Sequence, residues 1–239
     1  MDMNDPFRRG NPLDLPVRPS TSANFDWLAH RRNLFDLRLP ETISAKNTGI
    51  LTMPIRERVA LTWSWHEHFL ESELSLEGRI EVRGRITPAQ DCVHLELFVT
   101  NRSPTDWNDT EAVVCIRLIA APDFADRKRN RTYWWTRGSW TRLEPGFPKI
   151  SLGSQTDRGF IAVESESREY VVGTGWKEVW QICGNDMPHN ICIHTDPWLG
   201  SIPSGGHARS RGMIVFMKGS REEALDRYLE SSFLWGEEQ

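Results

Sequence analysis

The chain has 239 residues, 29 Lys and Arg against 33 Asp and Glu, and a formal charge of −4, with 38% hydrophobic and 26% charged residues. That composition is globular and long enough to bury a full core, which excludes disorder as the main state and gives nucleic acid no basic surface to bind. No apolar run reaches the roughly 20 residues that a membrane helix needs, so no membrane partner is expected. Residues 1–10 lack the apolar centre of a secretory signal, and the expected location is cytoplasmic. Residues 1–20 carry Pro6, Pro12, Pro16 and Pro19. They predict an extended arm, laid over the domain or used in homo-oligomer contacts, ahead of one domain over 21–239. A short helix is expected over 22–35, with Ser22 as N-cap and Phe25, Leu28 and Leu34 as its apolar side.

From residue 58 the period changes to two. Over 58–68, Val59, Leu61, Trp63 and Trp65 alternate with Ala60, Thr62, Ser64, His66 and His68. Leu74, Leu76, Ile80, Val82 and Ile86 predict one long strand with a dry face, on which Gly78 and Gly84 allow a bulge or a close crossing. Val93, Leu95, Leu97 and Val99 repeat the pattern. Residues 112–120 are nearly all apolar, as in a strand covered on both sides. Further strands are expected over 131–136, 159–163, 170–173, 177–183, 190–194 and 212–218. Many strands with turns between them, and no alternating helices, mean an antiparallel sandwich or barrel. A closing helix is expected over 221–235, with Ser220 and Glu223 as a capping box and Ala224, Leu225, Tyr228 and Leu229 as its apolar stripe.

Four groups of residues carry chemistry. His66 and His68, two apart on a strand, share a face and suit a divalent metal such as Zn, Fe, Mn or Ni, with Glu73, His194 and Asp196 as candidate further ligands. Two polar residues on a half-exposed strand are the simpler account. His194 and Asp196 also share a face, where a carboxylate sets the tautomer of an acid–base imidazole; the alternative is a strand end turning at Asp196-Pro197. The 11 tryptophans outnumber the 10 phenylalanines, and a buried indole needs a partner for its N–H. Trp63 and Trp65 fit a core. Trp198, with Trp180 near it, and one of Trp134 and Trp135 fit a cleft that stacks on a sugar. Arg127, Lys128, Arg129, Arg131, Arg137 and Arg142 form a basic segment able to hold a carboxylate or phosphate, or simply a solvated loop neutralised by Asp106, Asp109, Asp123 and Asp126. The four cysteines, Cys92, Cys115, Cys183 and Cys192, include no CxxC pair. Buried free thiols are expected, with a Cys183–Cys192 disulfide as the alternative. No GxSxG, Walker A or strand-linked GxGxxG motif supports a hydrolase, nucleotidase or dehydrogenase.

Two resemblances follow from these residues. His66-Glu67-His68 with Glu73, and Pro203-Ser-Gly-Gly-His207, are similar to the two cupin motifs, which implies a divalent-metal enzyme, although their spacing departs from that family. The run CIHTDPWLGSIPSGGHARSRGMIVF, within 176–220, resembles the C-terminal part of galactose mutarotase-like β-supersandwich proteins. This second resemblance implies a large antiparallel β-sandwich whose concave face binds a sugar or uronic acid, and His194 stands where the epimerases carry a glutamate. The resulting expectation is an all-β supersandwich with a short N-terminal and a C-terminal helix. It would bind a carbohydrate and act on it by proton transfer (epimerase, isomerase or lyase). His194 would be acid or base and Asp196 its orienting partner. His66, His68, Trp134, Trp198, Arg131 and Arg137 would bind substrate, with His66 and His68 able to hold a divalent metal instead. A non-catalytic carbohydrate- or protein-binding sandwich is the competing class.

Overall fold

The computed structural model describes residues 13–14, 22–27, 33–57, 61–152 and 158–236. In chain order the elements are β1 (Leu13–Asp14), β2 (Ala23–Trp27), β3 (Leu34–Ala45), β4 (Gly49–Thr52), α1 (Pro54–Glu57), β5 (Thr62–Trp65), β6 (Leu70–Leu76) and β7 (Ile80–Pro88). Next come β8 (Cys92–Asn101), β9 (Trp107–Arg117), β10 (Thr132–Thr136), β11 (Ser139–Arg142), β12 (Lys149–Ser151) and β13 (Gly159–Glu164). The chain continues with β14 (Tyr170–Trp176), β15 (Val179–Met187), β16 (Asn190–Ile202), β17 (His207–Lys218), α2 (Arg221–Leu229) and α3 (Ser232–Trp235).

The strands form two antiparallel sheets. The first runs β1-β2-β3-β9-β16-β15-β12, with β4 also on β3; the second runs β11-β10-β13-β14-β17-β8-β7-β6-β5. Between them lies the main core, where Phe35, Leu37, Val114, Ile116, Ile182 and Ile193 of the first sheet meet Val82, Leu95, Leu97, Ile161, Ile214 and Phe216 of the second. Phe35 packs edge-on against Phe216, with ring centroids 5.1 Å apart. Gly84 provides the close crossing its place on the dry face suggested: a Cβ there would lie 2.9 Å from the Leu39 carbonyl oxygen of the opposite sheet.

Three sequence expectations are corrected. The N-terminal helix over 22–35 does not form; Ala23–Asp26 pair with Leu34–Leu37 as antiparallel strands. Phe35, Leu37 and Leu39 are all fully buried, and their two-residue period governs where a helical spacing was read. The single strand over 74–86 is a hairpin, turning at Gly78 with φ +64° and pairing Leu76 with Ile80. The strand expected over 190–194 does not end at Asp196-Pro197 but continues to Ile202. Of the proline-rich arm, Leu13 and Asp14 pair with Trp27 and Asp26 at the edge of the first sheet, and the rest lies outside the described residues.

The C-terminal helix forms with its capping box at Ser220 and Glu223, and breaks after Leu229 into the short α3. It lies on the outer face of the second sheet, where Ala224, Leu225, Tyr228 and Leu234 join Phe160, Ala162, Val171, Met213 and Val215 in a second core. The Tyr228 hydroxyl donates to the Trp176 carbonyl at 2.7 Å. No helix among the described residues is long and apolar enough to cross a membrane.

Candidate functional site

Strand β16 sorts its side chains by parity. Ile191 and Ile193 enter the main core, and the Thr195 hydroxyl lies 3.3 Å from that of Thr174 in the opposite sheet. Cys192, His194 and Asp196 therefore project from the outer face of the first sheet. Pairing places Cys115 of β9 on one side of His194 and Cys183 of β15 on the other. The result is a cross centred on one imidazole, with Cys192 and Asp196 along the strand and Cys115 and Cys183 across it. His194 is only 4% exposed and Asp196 is fully buried.

Two sets of ligand atoms come together here, Cys115 with Cys192 and His194, and Cys183 with His194 and Asp196; within each set all lie within 4.8 Å of one another. His194 Nε2 is 3.0 Å from Cys192 Sγ. The other ring nitrogen, Nδ1, is 3.7 Å from Asp196 Oδ1, close enough for attraction but too long for a hydrogen bond, and Nδ1 has no hydrogen-bond partner. A hydrogen bond from Cys115 pulls the Cys192 thiol below its ordinary range against the effect of burial, and His194 adds to it. Burial alone would lower His194, but Asp196 and Cys192 outweigh it and hold the ring well above the usual imidazole range. The two shifts run in opposite directions, the thiol down and the ring up, as expected of a buried pair in mutual attraction.

Asp196 has a structural task as well. The ladder between β16 and β9 lapses between His194 and Trp198. There the Asp196 carboxylate accepts the Val114 backbone N–H at 3.1 Å and the Gln181 amide at 3.1 Å. It substitutes for a missing backbone acceptor, as a buried N–H requires.

Farther along the same face, pairing sets Ser44, Glu111 and Trp198 in a row across β3, β9 and β16. Ser44, Lys46, Glu111, Ser151, Trp180 and Trp198 are among the residues lining a hollow of about 480 Å³. The Ser44 hydroxyl donates to Glu111 at 2.9 Å, and Lys46 lies 3.4 Å from Asp109. Burial raises the Glu111 carboxyl above its ordinary range, opposed by the Ser44 hydrogen bond and assisted by the Asp196 charge. The Trp180 indole N–H is buried and has no partner. His194 does not border this hollow. Its Cα is about 13 Å along the strand from that of Trp198, at the usual rise per residue. Sequence spacing points to Trp198 and Trp180 but not to Glu111, Ser44, Lys46 or Ser151. The one available signal was the outward parity of Glu111 opposite apolar Ala112 and Val114.

The remaining expected site residues lie elsewhere. His66 follows the end of β5, and His68 sits in a bend rather than on a strand, so the shared-face premise fails. His66 stacks on Phe69 at 4.4 Å with Nε2 3.9 Å from Glu71, and His68 lies 3.5 Å from Glu67. Both histidines are exposed at the free edge of the second sheet, and neither joins a group of three metal-ligating side chains among the described residues. His194 and Asp196 belong to the other sheet, so the expected convergence of the histidines does not occur. His207 on β17 is separated from β5 by three strands, β8, β7 and β6, which keeps the two cupin-like segments apart.

Trp134 and Trp135 are both half-buried, on opposite faces as expected, and each packs against a different core. Trp63 packs on the main core, whereas Trp65 is 44% exposed. Arg131 donates to the carbonyls of Asp123 and Glu164 at 2.8 and 2.7 Å. Arg129 is buried and approaches Asp186 at 3.9 Å. These arginines fasten a loop that Asp126 organises by accepting from the Arg131 N–H and the Thr132 hydroxyl. Arg137 sits in the β10–β11 turn. All four cysteines are free and buried.

No family model matches the chain, and no curated protein matches it in sequence. Solved structures do match it in fold. A galactose mutarotase related enzyme from Lactobacillus acidophilus superposes with a TM-score of 0.55 at 8% identity, covering 87% of this chain and 98% of that one. A galactose mutarotase-like protein from Clostridium acetobutylicum gives 0.53 at 8% identity, covering 88% and 94%. One from Lactobacillus casei gives 0.52 at 7% identity, covering 86% and 100%. At such identity the likeness concerns architecture, and this chain has the fold of the galactose mutarotase-like proteins.

Proposed function

We propose that the hollow beside Trp180 and Trp198 binds a carbohydrate and that Glu111 moves a proton on it. The supporting observation is the pairing of two indoles with a half-buried carboxyl in one cavity, where the Trp180 N–H has no protein partner. Indole faces accept the apolar C–H side of a pyranose, while hydroxyls need donors and acceptors at fixed positions. Ser44, Ser151, Lys46 and Glu111 supply them. A volume of about 480 Å³ suits a mono- or disaccharide. The Lactobacillus acidophilus neighbour is described as galactose mutarotase related, which is sugar chemistry on the same architecture. Burial raises the Glu111 carboxyl above its ordinary range, so it holds a proton more readily than a free carboxyl and is suited to giving one as well as taking one. The reaction class is then epimerisation of a hemiacetal carbon, by proton transfer to and from its oxygens, or epimerisation, isomerisation or elimination at a carbon next to a carbonyl. His194, buried away from the hollow, supports the sheet in this reading.

Calorimetric titration of the purified chain with aldoses and uronic acids tests the binding, and polarimetry or NMR of the same mixtures tests turnover. Trp198→Ala is expected to weaken the best sugar at least about tenfold, which is about 1.4 kcal/mol. Glu111→Gln is expected to keep binding within a few fold and abolish interconversion. Binding without any turnover in the unaltered protein would leave a non-catalytic module. No binding by any sugar would remove the proposal.

A further inference from the structure

We propose that Cys115, Cys192 and His194 form a binding site for one soft divalent cation, of the zinc class. The three ligand atoms come from neighbouring strands of one sheet and lie within 4.8 Å of one another, all buried. A tetrahedral zinc with sulfur at 2.3 Å and nitrogen near 2.0 Å separates its ligand atoms by about 3.5 Å, and with three protein ligands a water takes the fourth position. The 3.0 Å between His194 Nε2 and Cys192 Sγ needs only a small side-chain adjustment to admit an ion.

The donor set and its charge select the metal. Two thiolates and an imidazole favour zinc or copper(I) over magnesium or calcium, which take oxygen. Two thiolates with a divalent ion and a neutral ring sum to zero charge, which a buried site favours.

A second observation points the same way. With Nε2 on the ion, the ring carries its proton on Nδ1, the buried atom that has no partner. That proton faces Asp196 Oδ1 at 3.7 Å. A carboxylate behind a metal-bound histidine is the usual device for fixing its tautomer and orientation. Asp196 is already held by the Val114 N–H and the Gln181 amide, so it is a fixed positioning residue toward which the ring turns, closing the gap to hydrogen-bond length, when Nε2 takes the ion. Binding releases to solvent whatever protons the two sulfurs and Nε2 carry, and no bond changes oxidation state. This site is independent of the sugar reading, because none of its three ligands borders the hollow.

The experiment is a Co2+ titration of the full chain, purified under reducing conditions and stripped with chelator, followed by absorption, with metal analysis of the protein as isolated. The expected result is one Co2+ per chain, with a thiolate-to-cobalt band in the near ultraviolet and tetrahedral ligand-field bands in the visible, all displaced by Zn2+. Cys115→Ser, Cys192→Ser and His194→Gln are each expected to weaken Co2+ by more than about a hundredfold, and Asp196→Asn by about tenfold. Cys92→Ser, on the other sheet, and Cys183→Ser should keep the bands. A wild-type titration without a thiolate band overturns the proposal, even if the ligand variants fail to fold. So does loss of the bands in Cys183→Ser with retention in Cys115→Ser, which would assign the ion to the opposite side of the ring.

Discussion

On the outer face of the second sheet, Phe160, Ala162, Val171, Met213 and Val215 meet Ala224, Leu225, Tyr228 and Leu234 of the terminal helices. On the outer face of the first sheet, a comparable depth of burial is occupied by Cys115, Cys183, Cys192, His194, Gln181 and Asp196. The first arrangement removes apolar area from water and stabilises the fold directly, at about 25 cal/mol per Å². The second removes polar groups from water and recovers the cost only where each finds a partner. Cysteine shows the difference within one residue type. Burial among apolar groups on the helix-covered face pushes the Cys92 thiol up to about 11. Hydrogen bonds from Cys115 and His194 draw the equally buried Cys192 thiol down. A face that only stabilises can be mostly aliphatic and aromatic, and the polar face instead gathers the groups that can hold a ligand or a metal.

The contrast breaks most visibly at Tyr228. Tyr228→Ala should cost about 3–5 kcal/mol, the usual range for truncating a buried aromatic side chain, seen as a lower urea midpoint at unchanged slope. Tyr228→Phe loses the bond to the Trp176 carbonyl and should cost only about 1 kcal/mol. A loss below about 1 kcal/mol for the alanine variant would mean that the helices merely rest on the sheet. On the opposite face, Asp196→Ala strands the Val114 N–H and the Gln181 amide. The expected cost is about 3 kcal/mol, of which Asp196→Asn should restore about half, because its one amide oxygen can replace only one of the two acceptors. Equal losses for the two substitutions would show that charge, rather than hydrogen bonding, matters at that position.

The two faces were not equally legible. The helix-covered face carried local signals: Ser220 and Glu223 form the capping box three residues apart, and the stripe Ala224, Leu225, Tyr228 follows helical period. On the polar face, parity alone put His194 and Asp196 side by side. Their partners Cys115 and Cys183 come from strands far away in sequence, and only strand register joins them. Parity also hides tight turns. Leu74 and Leu76 pair with Val82 and Ile80 across Gly78, so residues of one hairpin keep the same even numbering on the same face, and a hairpin imitates one long strand. His66 and His68 failed for the converse reason, since alternation continued in sequence past the point where β5 ends at Trp65. Glu111 escaped notice because a lone carboxyl at the start of an apolar strand gives no pattern; its meaning arises from Ser44 and Trp198 on the neighbouring strands.

A smaller effect sharpens the comparison at the helix start. Ser220→Ala removes the oxygen that accepts the Glu223 N–H and should cost about 1 kcal/mol, well below Tyr228→Ala, because the helix is held chiefly by packing. Thermal unfolding of the two variants side by side ranks cap against core. A cap loss equal to the Tyr228→Ala loss would reverse that ranking.

The smallest expected effect is a slope in pH at Glu111. Burial raises its carboxyl above the ordinary value of 4.5 in the folded chain, so the folded state holds this proton more tightly than the unfolded state does. Below 4.5 both states are protonated and the group is neutral in its effect. As pH rises from there toward the raised value, the unfolded chain ionises first, and stability falls through that window and then levels. Glu111→Gln should remove this decline and leave stability at low pH unchanged, measured by urea unfolding at a series of pH values from 4 upward. An undiminished decline in the variant would mean that the slope arises from other carboxyls. Sugar binding adds a sharper form of the same test. A hydroxyl donated to the ionised carboxylate should pull its pKa back toward the ordinary range, so the pH slope should shrink in the presence of the bound sugar and stay unchanged with a sugar that does not bind.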